Sequence, residues 1–181
     1  MISNRGRYLS IFIIAQVIGF IGYIFYISAP HLKTQKTIMQ FGAVAYILLG
    51  VQWYMLDQHA LLMVNTLGLL LSTAALEAQH NKRTAKLLPL FYPIGFCAFY
   101  LTAQGTAIDI ICMLSFCFCI ASKSSKEIVP FRFYAILSGI LLTIAGAMAL
   151  CLPALLFNFM FTAAHFQKIL PAKKSLILAT N

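Results

Sequence analysis

The stretch LLPLFYPIGFCAFYLTAQGTAIDIICMLSFCFCIAS, Leu87–Ser122, holds a single charged side chain, Asp109, in 36 residues. Lys82, Arg83 and Lys86 precede it, and Lys123 and Lys126 follow it. A bilayer core about 30 Å thick is crossed by roughly 20 apolar residues of helix rising 1.5 Å each. As one helix this stretch would be roughly 50 Å long, so it predicts two spans folded at a tight turn. Gln104-Gly105 is the available breaker, because Gly tolerates backbone that ends a helix.

The rest of the chain follows the same rule. Tyr8–Leu32, Thr37–Leu56 and Gln58–Leu76 are uncharged runs near one membrane thickness. Phe133–Gln167 is a second double-length run, and Leu152-Pro153 is its breaker. The expectation is an all-α integral membrane protein of seven transmembrane helices, a single membrane domain over residues 1–181 with no extramembrane module. A cleaved signal peptide is disfavoured for the first span, whose apolar run exceeds a typical h-region and contains Gln16, Gly19 and Gly22.

Charge sets the orientation. Of the 13 Lys and Arg, Arg5 and Arg7 fall on the side of the N-terminus under seven spans. The other 11 fall on the opposite side, in the clusters Lys33/Lys36, Lys82/Arg83/Lys86, Lys123/Lys126/Arg132 and Lys168/Lys173/Lys174. Positive residues are retained in the cytoplasm, which predicts the N-terminus outside and the C-terminus cytoplasmic. The net charge of +9 is then a topology signal. No soluble stretch is long enough to present a basic face to nucleic acid.

Several chemistries lack their residues. Cys117-x-Cys119 has no companion ligands, so no metal site is expected, and the five cysteines are expected inside the spans as small apolar residues. There is no Gly-rich phosphate loop, nucleophile elbow or paired His/Glu motif, so neither an enzyme nor a cofactor is expected.

The chain also matches itself. A shift of 93 residues lays Ile18–Glu77 over Ile111–Leu170 without a gap, with ten identities that include Lys33/Lys126, Leu48/Leu141, Leu49/Leu142 and Asn65/Asn158. Spans 1–3 fall on spans 5–7, and span 4 restores parallel orientation between the copies. The plan is 3+1+3: a first three-helix repeat over residues 8–77, a linker helix over 87–103 and a second repeat over 106–170. Internal symmetry on this scale is common in transporters.

Short motifs then suggest a family. Ala15-Gln16-Val17-Ile18-Gly19-Phe20-Ile21-Gly22, Leu48-Leu49-Gly50 and Asn65 resemble the YgjV-type bacterial inner-membrane proteins, within a plan similar to the SWEET and PQ-loop (MtN3-like) transporter superfamily. The resemblance implies a multi-pass protein of the bacterial inner membrane that moves a small solute by alternating access between its repeats. It also implies substrate binding by Asn65 and Asn158, which match the paired asparagines of SWEET-type transporters. Pro30-His31 and Lys33 resemble a degenerate Pro-Gln signature; the second copy has Lys123-Ser124 there. Trp53 does not fall at the spacing of the aromatic residue above each asparagine.

From the residues alone, the asparagines have two readings. An unsatisfied amide in hydrocarbon costs several kcal/mol, so they either glue helices together or face a central cavity. Gln16 and Asp109 coincide under the 93-residue shift. Asp109 is either a proton or cation site or reaches the outer interface. His165, which overlays Ser72, is either an interfacial histidine or a gate, and Tyr23 or Tyr46 is a candidate cavity residue. No Lys or Arg is expected in the bilayer core, which predicts a small, neutral, polar solute. The alternative is a structural or accessory membrane protein whose amides serve packing alone. The partners expected are the lipid bilayer and that solute.

Overall fold

Gly105 takes φ +74° between two helices, a left-handed conformation that a residue without Cβ adopts freely. Thr106 opens the next helix with a capping box: its hydroxyl accepts from Asp109 N–H, and the Asp109 carboxylate accepts from Thr106 N–H. The first double-length run therefore folds back where the sequence predicts. In the second run the fold-back comes slightly earlier than Leu152-Pro153, around Ala149 and Cys151. Pro153 lies in the first turn of the following helix, where a missing N–H removes no helical bond.

The computed structural model describes residues 2–102, 104–149 and 151–179. Its helices are α1 (Ile2–Ser28), α2 (Gln35–Met55), α3 (His59–Ala78), α4 (Lys82–Leu87), α5 (Phe91–Thr102), α6 (Ala107–Ser124), α7 (Ile128–Met148) and α8 (Leu152–Ala179). No strand occurs among the described residues. A 3₁₀ turn at Leu88–Leu90, carrying Pro89, joins α4 to α5, so Lys82–Thr102 runs as one broken helix and the described residues form seven helical segments. Among the described residues six segments are long and apolar enough to cross a membrane: Tyr8–His31, Gln35–Met55, His59–Ala78, Lys82–Thr102, Ala107–Ser124 and Ile128–Met148.

The helices pack in two groups. α1, α2 and α3 pack in chain order, as do α6, α7 and α8; α3 against α6 and α1 against α8 join the groups, while α5 packs on α3 and α6. Close approach depends on small residues. A Cβ at Gly19 of α1 would overlap the Gln52 amide of α2. Apolar side chains such as Phe20, Ile24, Tyr100 and Leu101 face outward, the inversion that a hydrocarbon solvent permits.

Helix boundaries repeat at the sequence offset. Gln35 and Met55 bound α2, Ile128 and Met148 bound α7, and both pairs differ by 93, giving two helices of 21 residues. α3 and α8 begin at His59 and Leu152, again 93 apart. Their turns close alike. Gln58 N–H donates to Trp53 O and Cys151 N–H to Gly146 O, both at 3.0 Å, the six-residue closure of a Schellman motif. Asp57 sits in that turn at φ 57°. Cys151 therefore lies between helices, outside the span expected to hold it. Cys97 is exposed on α5, whereas Cys112 and Cys119 are buried.

Candidate functional site

Asn65 and Asn158 come together. Both are buried, and both line a cavity of about 20 Å³ with Tyr23, Trp53 and Leu142. That is roughly the room for one water. Asn65 Nδ2 donates to Leu61 O one turn earlier, at 2.7 Å, which ties one amide hydrogen to its own helix. Among the described residues no protein group bonds the Asn158 side chain. Tyr23, a predicted cavity residue, lies in this chamber and stacks on Phe157 with centroids 4.8 Å apart. Trp53 lines it too, despite the spacing that set it apart in the sequence.

A second cavity, of about 40 Å³, lies nearer the connections α1–α2, α3–α4 and α6–α7. Tyr26 and Tyr46 line both cavities and so form the partition between them. Tyr26 is held there by stacking on Phe161, centroids 4.0 Å apart, and Tyr46 Oη meets Cys119 Sγ at 3.7 Å. His165 lines this inner chamber together with Lys123, Ser122 and Ser138. Beyond Lys123 an open vestibule of about 610 Å³, lined also by Lys36 and Lys126, reaches the basic surface.

At the inner chamber lie two cations, Lys123 and Arg132, that the sequence assigns to a basic cluster between spans. Lys123, in the last turn of α6, is 9% exposed, and Arg132, in the first turns of α7, is 6% exposed. Lys123 Nζ lies 5.3 Å from the centre of the Tyr46 ring, a cation–π contact. Arg132 donates through Nη1 to Pro30 O at 2.8 Å and through Nη2 to Leu32 O at 3.2 Å. It thereby clasps the 3₁₀ turn Ala29–His31 at the end of α1. Its Nη1 also lies 3.4 Å from His165 Nδ1. Gln35 Nε2, donating to Ser125 O at 2.9 Å, is a second tie across the same end.

Among the described residues no carboxylate reaches these cations. Of the chain's four acids, Glu77 and Glu127 are exposed. Asp57 pairs with His59 at 3.2 Å on the surface. Asp109 Oδ2 accepts from Gln104 N–H, Thr106 N–H and Thr106 Oγ1 at 3.1, 2.8 and 2.9 Å. The Asp109 carboxylate is thus a helix cap. Gln16 lines an outward apolar groove with Phe12, Phe20 and Pro153, away from both chambers. Among the described residues no three His, Cys, Asp or Glu side chains converge.

The sequence reading missed Gln52, wholly buried with neither amide atom partnered. It also missed the burial of Lys123 and Arg132. A signal existed. Lys123 continues the stripe Ser115–Cys119, and Arg132 begins the stripe Ile136–Gly139, both at helical spacing; all six residues are buried.

Helices with lipid-facing apolar surfaces and polar groups turned inward define a polytopic membrane protein. The chain belongs to the Imp-YgjV family, bacterial inner membrane proteins, whose match covers residues 13–175. No curated protein and no solved structure matches the chain.

Proposed function

We propose that the protein is a solute carrier of the bacterial inner membrane, with α8 as its seventh span and two parallel three-helix repeats in the 3+1+3, SWEET-like plan. The observation that carries this reading is the series of vestibule, inner chamber, tyrosine partition and outer chamber along the seam between the two helix groups. Matching helix bounds and turn closures 93 residues apart support the repeat. In alternating access, Tyr26 and Tyr46 would divide the path while Asn65 and Asn158 bind a small polar solute from two sides. The basic surface would face the cytoplasm, with the N-terminus outside.

The rival reading is an accessory membrane protein. It draws on the outer chamber's small size and on the bond from Asn65 to its own helix. Vesicles separate the two. Proteoliposomes should swell faster than empty liposomes in an iso-osmotic permeant solute, tested over polyols, amino acids and organic acids. Swelling at the empty-liposome rate for every solute would leave the accessory role. In whole cells a cysteine placed at Asp57 should react with an impermeant maleimide. Labelling only after the inner face is opened would reverse the orientation.

A further inference from the structure

The inner chamber is lined by hydrogen-bond donors that lack acceptors. A guanidinium nitrogen can only donate, so the Arg132–His165 contact makes Nδ1 the acceptor. A neutral imidazole then carries its hydrogen on Nε2. That atom is fully buried and has no partner among the described residues, although His165 lines the chamber. The Lys123 ammonium, which also only donates, has no carboxylate within reach among the described residues. A buried unpaired N–H is costly in a dry interior, and an ammonium at the inner end of the vestibule with no counter-ion among the described residues attracts an anion. One occupant satisfies both: a group bearing negative charge and acceptor oxygens.

We propose that the inner chamber is an anion site that seats the carboxylate of a small organic acid between Lys123 Nζ and His165 Nε2–H. Arg132 is a positioning residue. Held by the carbonyl groups of Pro30 and Leu32, it fixes the imidazole tautomer that keeps the hydrogen on Nε2. One ammonium lines the chamber, so a monoanion neutralises it. A volume of about 40 Å³, roughly three waters, suits the few heavy atoms of a carboxylate group. Lys36, Lys123 and Lys126 line the vestibule that leads there, and a cleft with one sign of charge concentrates the opposite ion. The proposal rests on the carrier reading only for its purpose, because the site can bind whether or not solute crosses.

Formate, the smallest carboxylate, is the probe. Full-length protein in detergent is melted in rising sodium formate at constant ionic strength, with sodium chloride as balance. Melting should rise saturably, by about 3–5 °C at ten times the half-saturating concentration. Lys123→Met should abolish the response and Lys123→Arg retain it. His165→Gln, which can place an amide N–H near the former Nε2, should keep more of the response than His165→Phe. Removing a buried unpaired charge leaves the unliganded melting of Lys123→Met unchanged or higher, so loss of response there is not loss of fold. An equal response to chloride, or one that survives Lys123→Met, overturns the site. Absence of any formate response overturns it as well, while swelling of vesicles in a neutral solute would leave the carrier reading standing. Formate stabilisation that depends on Lys123, without permeation of any solute, would keep the site and remove the carrier.

Discussion

The two chambers are neighbours but differ in symmetry. In the outer one, Asn65 and Asn158 are 93 residues apart and share a lining. In the inner one, Lys123, Arg132 and His165 align under the same shift with Pro30, Met39 and Ser72, none of which carries charge. The cations and the imidazole of the inner chamber therefore come from the second half of the chain. The first half supplies small and aliphatic walls, such as Ala29, Ile38 and Gly42. Ser72 shows the divergence plainly: its hydroxyl donates to Gly68 O at 2.7 Å within its own helix, whereas His165 keeps a ring nitrogen free. Where the halves match, the lining is neutral. Where they diverge, it is cationic and unsatisfied.

The largest expected effect attacks the inner chamber. Arg132→Met leaves two carbonyl groups and His165 Nδ1 without their donor. The expected loss is about 3 kcal/mol, at roughly 1 kcal/mol for each stranded group. Arg132→Lys should recover only part, because a point ammonium cannot serve the same fork of acceptors. Unfolding in denaturant reads both. Equal stability of Arg132→Met and the parent protein would mean that the clasp does not form.

A middle effect belongs to the wall beside the outer chamber. In Gly19→Ala the new methyl meets the Gln52 amide. The helices must then part or the amide must turn, at about 2 kcal/mol. Gly19→Ala combined with Gln52→Ala should recover most of that loss, since the second change removes the obstacle.

The smallest expected effect concerns the asparagine pair. Among the described residues the Asn158 side chain has no protein partner to lose, and Asn65 loses one bond to its own helix. Asn158→Ala and Asn65→Ala should each change unliganded melting by about 0.5 kcal/mol or less while removing the response to a bound polar solute. A loss of 0.5–2 kcal/mol in either, with ligand response intact, would identify the amides as helix–helix packing and erase the chemical contrast between the chambers.

Legibility in the sequence follows the same division. Helix count, the Gly105 fold-back and the joining of Asn65 to Asn158 all follow from hydropathy and internal offset, because each depends on spacing along the chain. Lys123 and Arg132 escaped that logic, since a run of apolar residues is ended by its first charge and the charge is then assigned to water. The helices continue past the runs: α6 extends to Ser124 and α7 begins at Ile128. A cation on an inward face stays inside. Asp109 was ambiguous for the opposite reason, because a short carboxylate just after Gly105 suits a cap as well as a proton site, and only the bonds to Thr106 and Gln104 decide.

The Arg132 clasp has a consequence for how the chain can vary. Its acceptors at Pro30 and Leu32 are main-chain oxygens, which every amino acid possesses. The clasp itself thus makes no demand on the side chains at 30 and 32, provided the turn keeps its shape. Position 132 has no such latitude: no exchange at the partner positions can rescue its loss, so the dependence runs one way across the seam.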